Sequence, residues 1–204
     1  MRPRHDVAVV RRALVSEQDE TAIDVVAGKL RALHEARVNA ELSAANALAP
    51  GSDRVSPRGA LLAEVAAVKG LPGPAEASGG AAMSGADGEA LVKALEALGY
   101  AVDSVFFTLS RPEPGMERER AADRLRLQLE SVDPRVIVAL DAEAAADVAE
   151  AFGCEDPLPG GAPLRVLGRR LVAVSGFEAA LSDPKAKQRV WAELKAAKAE
   201  GPVY

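Results

Sequence analysis

An α/β fold is what this sequence predicts, and three observations carry the prediction. From about residue 60 onward, short runs of aliphatic and aromatic residues alternate with segments patterned for helix. One run, "RVIVAL" at 135–140, is a short apolar stretch of the kind that forms a strand covered on both faces. Gly99 and Gly153 stand where helical patterns stop, so the segments are punctuated rather than continuous. Such alternation predicts a three-layer sandwich with a mostly parallel central sheet flanked by helices. A helical extension over 1–58 precedes the α/β domain over 59–204.

The elements follow in order. Residues 19–48 read as helix, because Ile23, Val26, Leu30, Leu33, Val38 and Leu42 recur roughly at three- and four-residue steps. "APGSDRVSPRG" at 49–59 is loop. Val65 to Val68 is a buried strand, ended by Pro72, Gly73 and Pro74. Asp87 is placed to cap a helix over 88–98, with Leu91, Leu95 and Leu98 on one face. "AVDSVFFTL" is a strand, rich in β-branched and aromatic residues. "SRPEPGMERER" leads into a helix over about 117–131. Asp141 caps a helix reaching Phe152. "LRVL" and "RRLVAVS" flank Gly168 as two strands around a tight turn, and Pro184 opens the last helix.

Composition narrows the class. Hydrophobic residues at 49% and charged residues at 27% give the balance of a globular domain. Aromatics at 3% mean a core of Ala, Val and Leu. No apolar run approaches the roughly 20 residues of a membrane span. The basic start "MRPRHDVAVVRRALVSEQDE" has an apolar run broken by Arg11 and Arg12, and does not read as a signal peptide. With one cysteine, Cys154, neither a disulfide framework nor a cysteine metal cluster is expected, and the cytoplasm is the natural compartment. A net charge of −5 lowers the expectation of a phosphate-gripping surface.

Five segments, in one order, carry a resemblance. They are "VAAVKGLPG", "GGAAMSGADGEALVKALEALGY", "SVFFTLSRP", "LRLQLESVDPRVIVAL" and "LVAVSGFEAALSDPKAKQRVWAEL". Together they resemble the uracil-DNA glycosylase superfamily over roughly the last two thirds of the chain, and above all its iron–sulfur bacterial and archaeal group. "VAAVKGLPG" is similar to a strand ending in Gly-Glu-Ala-Pro-Gly. "GGAAMSGADGEALVKALEALGY" resembles a Gly-x-Pro-Phe-x-Gly-x-x-Gly loop and its Leu-rich helix. "SVFFTLSRP" stands where the family has an Asn-bearing strand and an Arg-Pro. The segment ending in "PRVIVAL" reads like "LxxQLxxxxPRVIVAL". The last resembles a late strand, a His-Pro loop and a terminal helix. The resemblance implies a uracil-DNA glycosylase-like fold and a pocket that holds a flipped-out base.

The residues that chemistry would need are not those present. The family's acidic position falls on Gly70, its stacking Phe on Met83, its base-reading Asn on Leu109 and its His on Gly176. Glu178 is the one acid close to that last position. The group's four-iron cluster needs four cysteines, so no cofactor and no metal are expected here. The resemblance therefore implies a catalytically degenerate member that binds or scaffolds, with a protein or DNA partner. The alternative is an active DNA glycosylase with a relocated catalytic set, using Glu178 or Asp103. A third possibility is an unrelated α/β protein that binds a small ligand at the Gly-rich loop.

Other site types leave little trace. There is no phosphate loop of the Gly-x-x-x-x-Gly-Lys type and no Gly-x-Ser-x-Gly elbow. Basic residues gather at Arg2, Arg4, Arg11 and Arg12, and again at Lys185, Lys187, Arg189, Lys195 and Lys198. If DNA is the partner, Lys185 and Lys187 are the candidates to track its backbone, joined by Arg111 and Ser175. His5 and His34 lie in the N-terminal extension, outside the resembling region.

Overall fold

The computed structural model describes residues 17–198, so the first basic group and His5 lie outside the described residues. Among the described residues, seven α-helices and six strands follow one another: α1 Glu17–Asn46, β1 Arg58–Gly59, β2 Val65–Lys69, α2 Pro74–Ala77, α3 Ala86–Ala97, β3 Val105–Leu109, α4 Arg118–Val132, β4 Val136–Ala139, α5 Ala142–Ala151, β5 Leu164–Val166, β6 Arg169–Ala173, α6 Phe177–Ala180 and α7 Pro184–Leu194. The chain divides between Arg37 and Val38 into two compact units. In the first, Ile23, Val26, Leu30 and Leu33 of α1 are exposed. In the second, Val38, Leu42 and Ala45 at the end of the same helix are buried.

All six strands form one sheet in the order β1-β3-β2-β4-β6-β5. The four inner strands run parallel, as helical crossovers require. Each edge strand is antiparallel to its neighbour. The sheet is therefore mixed, which corrects the expectation of a mostly parallel one. The reason is local. Only Leu167 and Gly168 separate β5 from β6, and a connection that short permits only a hairpin. Both turn residues have positive φ, 49° and 80°, which matches the twist of a tight hairpin.

The inner strands carry side chains alternately to two cores. Val65, Ala67, Val105, Phe107, Val136 and Val138 face one core with Leu91 and Leu95 of α3 and Val190 and Leu194 of α7. Ala66, Val68, Phe106, Ile137 and Ala139 face the other with Leu125 and Leu129 of α4 and Ala144 and Val148 of α5. Burial on both faces is why these strands read as unbroken apolar runs.

Three helix starts carry an aspartate, and they do not use it alike. Asp141 caps α5 as expected, accepting from the Ala144 amide at 2.8 Å. Asp87 does not cap α3. The N-cap is Gly85, and Asp87 lies inside the first turn, where its Oδ2 accepts from Lys69 at 2.9 Å. Asp183 caps α7, and Pro184 takes the first helical position.

Candidate functional site

Chain direction reverses across the sheet between β2 and β4. From β2 the chain moves to β3 on one side, and from β4 to β6 on the other. Carboxyl ends of parallel strands diverge at such a point and leave a crevice. A cleft of about 350 Å³ lies there, lined by Lys69, Met83, Leu140, Asp141, Phe177 and Glu178, among others. That volume is at the small end of the range for organic ligands.

Lys69 is the last residue of β2 and points into the cleft wall. Its Nζ lies 2.7 Å from Glu178 Oε2, 2.9 Å from Asp87 Oδ2 and 3.5 Å from Glu76 Oε2. Burial alone would lower the ammonium's pKa. The hydrogen bonds to Glu178 and Asp87, with the fields of Asp87 and Glu76, outweigh burial and raise it far above the ordinary value. Three carboxylates thus hold the Lys69 ammonium in the cleft wall.

Glu76, on the short helix α2, is almost wholly buried and holds the Gly-rich loop. Its two oxygens accept from the amides of Gly73 at 3.0 Å and Met83 at 2.7 Å. The Met83 carbonyl accepts from the guanidinium of Arg58, whose Nε also donates to Ala82 O at 2.7 Å. Arg58 in turn stacks over the Phe107 ring, 4.1 Å from its centroid. So clamped, Met83 is fully buried with φ of 53°, a left-handed conformation that costs a non-glycine residue energy. Its side chain forms part of the cleft floor.

Asp141 closes the wall between β2 and β4. Its Oδ2 accepts from the Gly70 amide at 2.9 Å, and its Oδ1 from Ala144. Burial raises its pKa, partly offset by those two backbone donors. A Cβ on Gly70 would stand 2.7 Å from Asp141 Oδ1 and 2.5 Å from Glu143 Cβ. The Asp141 carboxylate therefore occupies the space beside position 70 and excludes a side chain there.

The expected site residues are only partly brought together. Met83 and Gly176 line the cleft, and Gly70 touches it through Asp141. Leu109 lies buried in the core beside the sheet, outside the lining, and its carbonyl accepts from Arg124. Glu178 does enter the cleft, carried on α6 after Gly176, which takes φ of 74°. Asp103 sits in a single 3-10 turn before β3, outside the lining. Lys69 and Asp87 were not legible as site residues, because their partners lie far off along the chain.

The candidates for a DNA backbone are distributed differently. Arg111 makes a two-pronged pair with buried Asp147, at 2.9 and 2.7 Å, which raises its pKa. Ser175 donates through its hydroxyl and its amide to the Glu193 carboxylate at 2.8 and 2.7 Å. Lys185 is exposed and Lys187 is exposed, both on α7. Among the described residues there is no group of three or more His, Cys, Asp or Glu arranged to hold a metal ion. Among them also, no helix is long and apolar enough to cross a membrane.

These features define an α/β protein with a charged cleft at the carboxyl edge of its parallel strands. No protein-family model matches the chain, and no curated protein matches it.

Proposed function

We propose that this chain is a non-catalytic binding protein on a uracil-DNA glycosylase-like frame, and that the cleft between β2 and β4 is its recognition site. One observation carries this reading: the cleft's acids are already committed. Asp87 and Glu178 bind Lys69, and Asp141 binds the Gly70 and Ala144 amides. Carboxylates held in this way shape a pocket rather than activate a water. The remaining lining of Met83, Leu140 and Phe177 offers an apolar seat. Three lining acids against one lining cation disfavour a phosphate, so a neutral ring or a protein side chain suits the cleft better than a nucleic-acid backbone.

Glu178 supplies the observation that favours a second reading, an active glycosylase with a relocated catalytic set. It is the acid of the cleft whose side chain is half exposed. Asp141, with a raised pKa beside Gly70, would be its companion.

One experiment separates the two. Purified protein is incubated with uracil-containing single- and double-stranded DNA, alongside Glu178→Ala and Asp141→Asn. No abasic product is expected. Abasic product that either substitution abolishes would establish the second reading. Binding of uracil or uridine is followed in parallel through the fluorescence of the single tryptophan, Trp191, on α7 beside Phe177. No response to bases, nucleosides or DNA would count against the cleft as a base-binding site.

A further inference from the structure

The chain's single tryptophan lies at the surface, beside a second recess that shares only Phe177 with the cleft. Trp191 of α7 is 36% exposed and lines a groove of about 190 Å³ bounded by α3, α6 and α7. Small side chains make the room. Ala90 and Ala94 of α3 and Ala180 of α6 stand against the bulk of Phe177, Leu181 and Trp191. The volume is below the range for whole organic ligands and suits one aliphatic or aromatic side chain. Tryptophan is also among the residues in which binding energy concentrates at protein interfaces.

Charge around the groove selects the partner. Lys187 precedes Trp191 by four residues and Lys195 follows it by four, so both fall on its face of the helix. Lys187 is the one charged residue of the groove lining, and Lys195 Nζ lies 6.0 Å from the centroid of the Trp191 ring. Both lysines are exposed. Among the described residues, neither lies within ion-pair distance of a carboxylate. The acids of the same helices are engaged or placed elsewhere. Glu178 binds Lys69 at 2.7 Å, Glu193 accepts from Ser175, and Glu89 and Glu96 of α3 line a separate pocket with Arg58.

We propose that this groove docks a peptide segment of a partner protein that carries one large apolar side chain between carboxylates. The apolar side chain enters beside Trp191, and the flanking carboxylates meet Lys187 and Lys195. This is an apolar anchor in a groove with a charged rim, the common plan of peptide recognition. A nucleic-acid strand fits less well, because the lining holds no amide or hydroxyl side chain to read a base edge.

Fluorescence anisotropy of fluorescein-labelled ligands with the full chain tests this. The ligands are Glu-rich peptides with one central Leu, Phe or Trp, the same peptide with a central Ala, and an oligothymidine of matched length. Saturable binding of at least one apolar-centred peptide is expected, and the Ala peptide is expected to bind about tenfold more weakly or worse. Trp191→Ala is expected to weaken binding by about tenfold, as is Lys187→Glu combined with Lys195→Glu. Both lysines are exposed, so the double substitution keeps the fold and remains readable if Trp191→Ala lowers stability. Absence of binding by all three apolar-centred peptides overturns the proposal, as does equal binding of the Ala peptide. Binding that survives the double lysine substitution also overturns it. Tighter binding of the oligothymidine than of any peptide assigns the groove to nucleic acid instead.

Discussion

Lys69 Nζ meets Glu178 Oε2 at 2.7 Å, joining the end of β2 to a short helix that follows β6. Asp87 and Glu76 close on the same nitrogen from the start of α3 and from the short helix α2. One cation thus gathers three separate segments around the cleft. The four groups do not carry equal weight, because Glu178 is half exposed while the other three are buried.

Replacing Lys69 by Met is expected to strand buried Asp87 and Glu76 without a counter-charge. Removing one partner of a buried pair typically costs about 3–5 kcal/mol. Glu178→Gln removes a solvent-screened partner and is expected to cost at most about 1 kcal/mol. Urea unfolding of the two variants checks the contrast, and equal losses would show that the cage is not centred on Lys69.

Gly88→Ala is expected to distort the cleft floor. A Cβ at that position would stand 1.8 Å from the Met83 carbonyl, which Arg58 already holds. Overpacking of this kind costs about 1–3 kcal/mol. A variant as stable as the parent, with the same near-ultraviolet circular dichroism, would mean that the loop has another arrangement open to it.

Stability should depend on pH through Asp141. Its folded pKa is raised, so the folded state holds this proton more tightly than the unfolded chain does. That contribution is fully present below the ordinary aspartate value, near about 3.9, and is lost as pH rises through the folded pKa. Relative to Asp141→Asn, the parent is therefore expected to lose stability as pH climbs from about 4. Denaturant titrations at a series of pH values measure the difference. A parent that gains on the variant over this range would contradict burial as the dominant influence.

Arg111 and Asp147 are expected to couple strongly. Asp147 is fully buried and accepts from both Arg111 nitrogens and from Ser110 Oγ at 2.6 Å. A double-mutant cycle with Arg111→Met and Asp147→Asn should return roughly 1.5–3 kcal/mol, the range for hydrogen bonds to charged groups. Arg111→Lys should recover only part of it, since an ammonium cannot span both oxygens.

Much of the fold was legible because its signals are local. β2 and β4 announced themselves as apolar runs, α5 by its Asp141 cap, and the β5–β6 hairpin by Gly168. β1 was not legible. Arg58 and Gly59 carry no strand pattern, and they pair with β3 only because the neighbouring backbone offers free hydrogen-bonding groups. Asp87 departs from the capping role its position suggests, because a stronger partner, Lys69, reaches it from a distant strand. The cleft was half legible for the same reason. Position 83 and position 176 follow from order along the chain, whereas the Lys69 cage depends on residues brought together only by the sheet. Leu109 shares a sheet face with its register partner Lys69 and packs in the same core as Met83, Leu140 and Phe177, outside the cleft lining.

The two-residue strand β1 does more than extend the sheet. It covers the outer edge of β3, whose "VFFTL" run combines aromatic and β-branched residues without a charge. An uncovered edge of that composition is a template for adding foreign strands. Gly59 lets the guard sit close, since a Cβ there would stand 2.2 Å from the Val105 carbonyl. A single methyl group at position 59 would unlatch this cover, and the chain would then face a solubility problem before it faced a folding one.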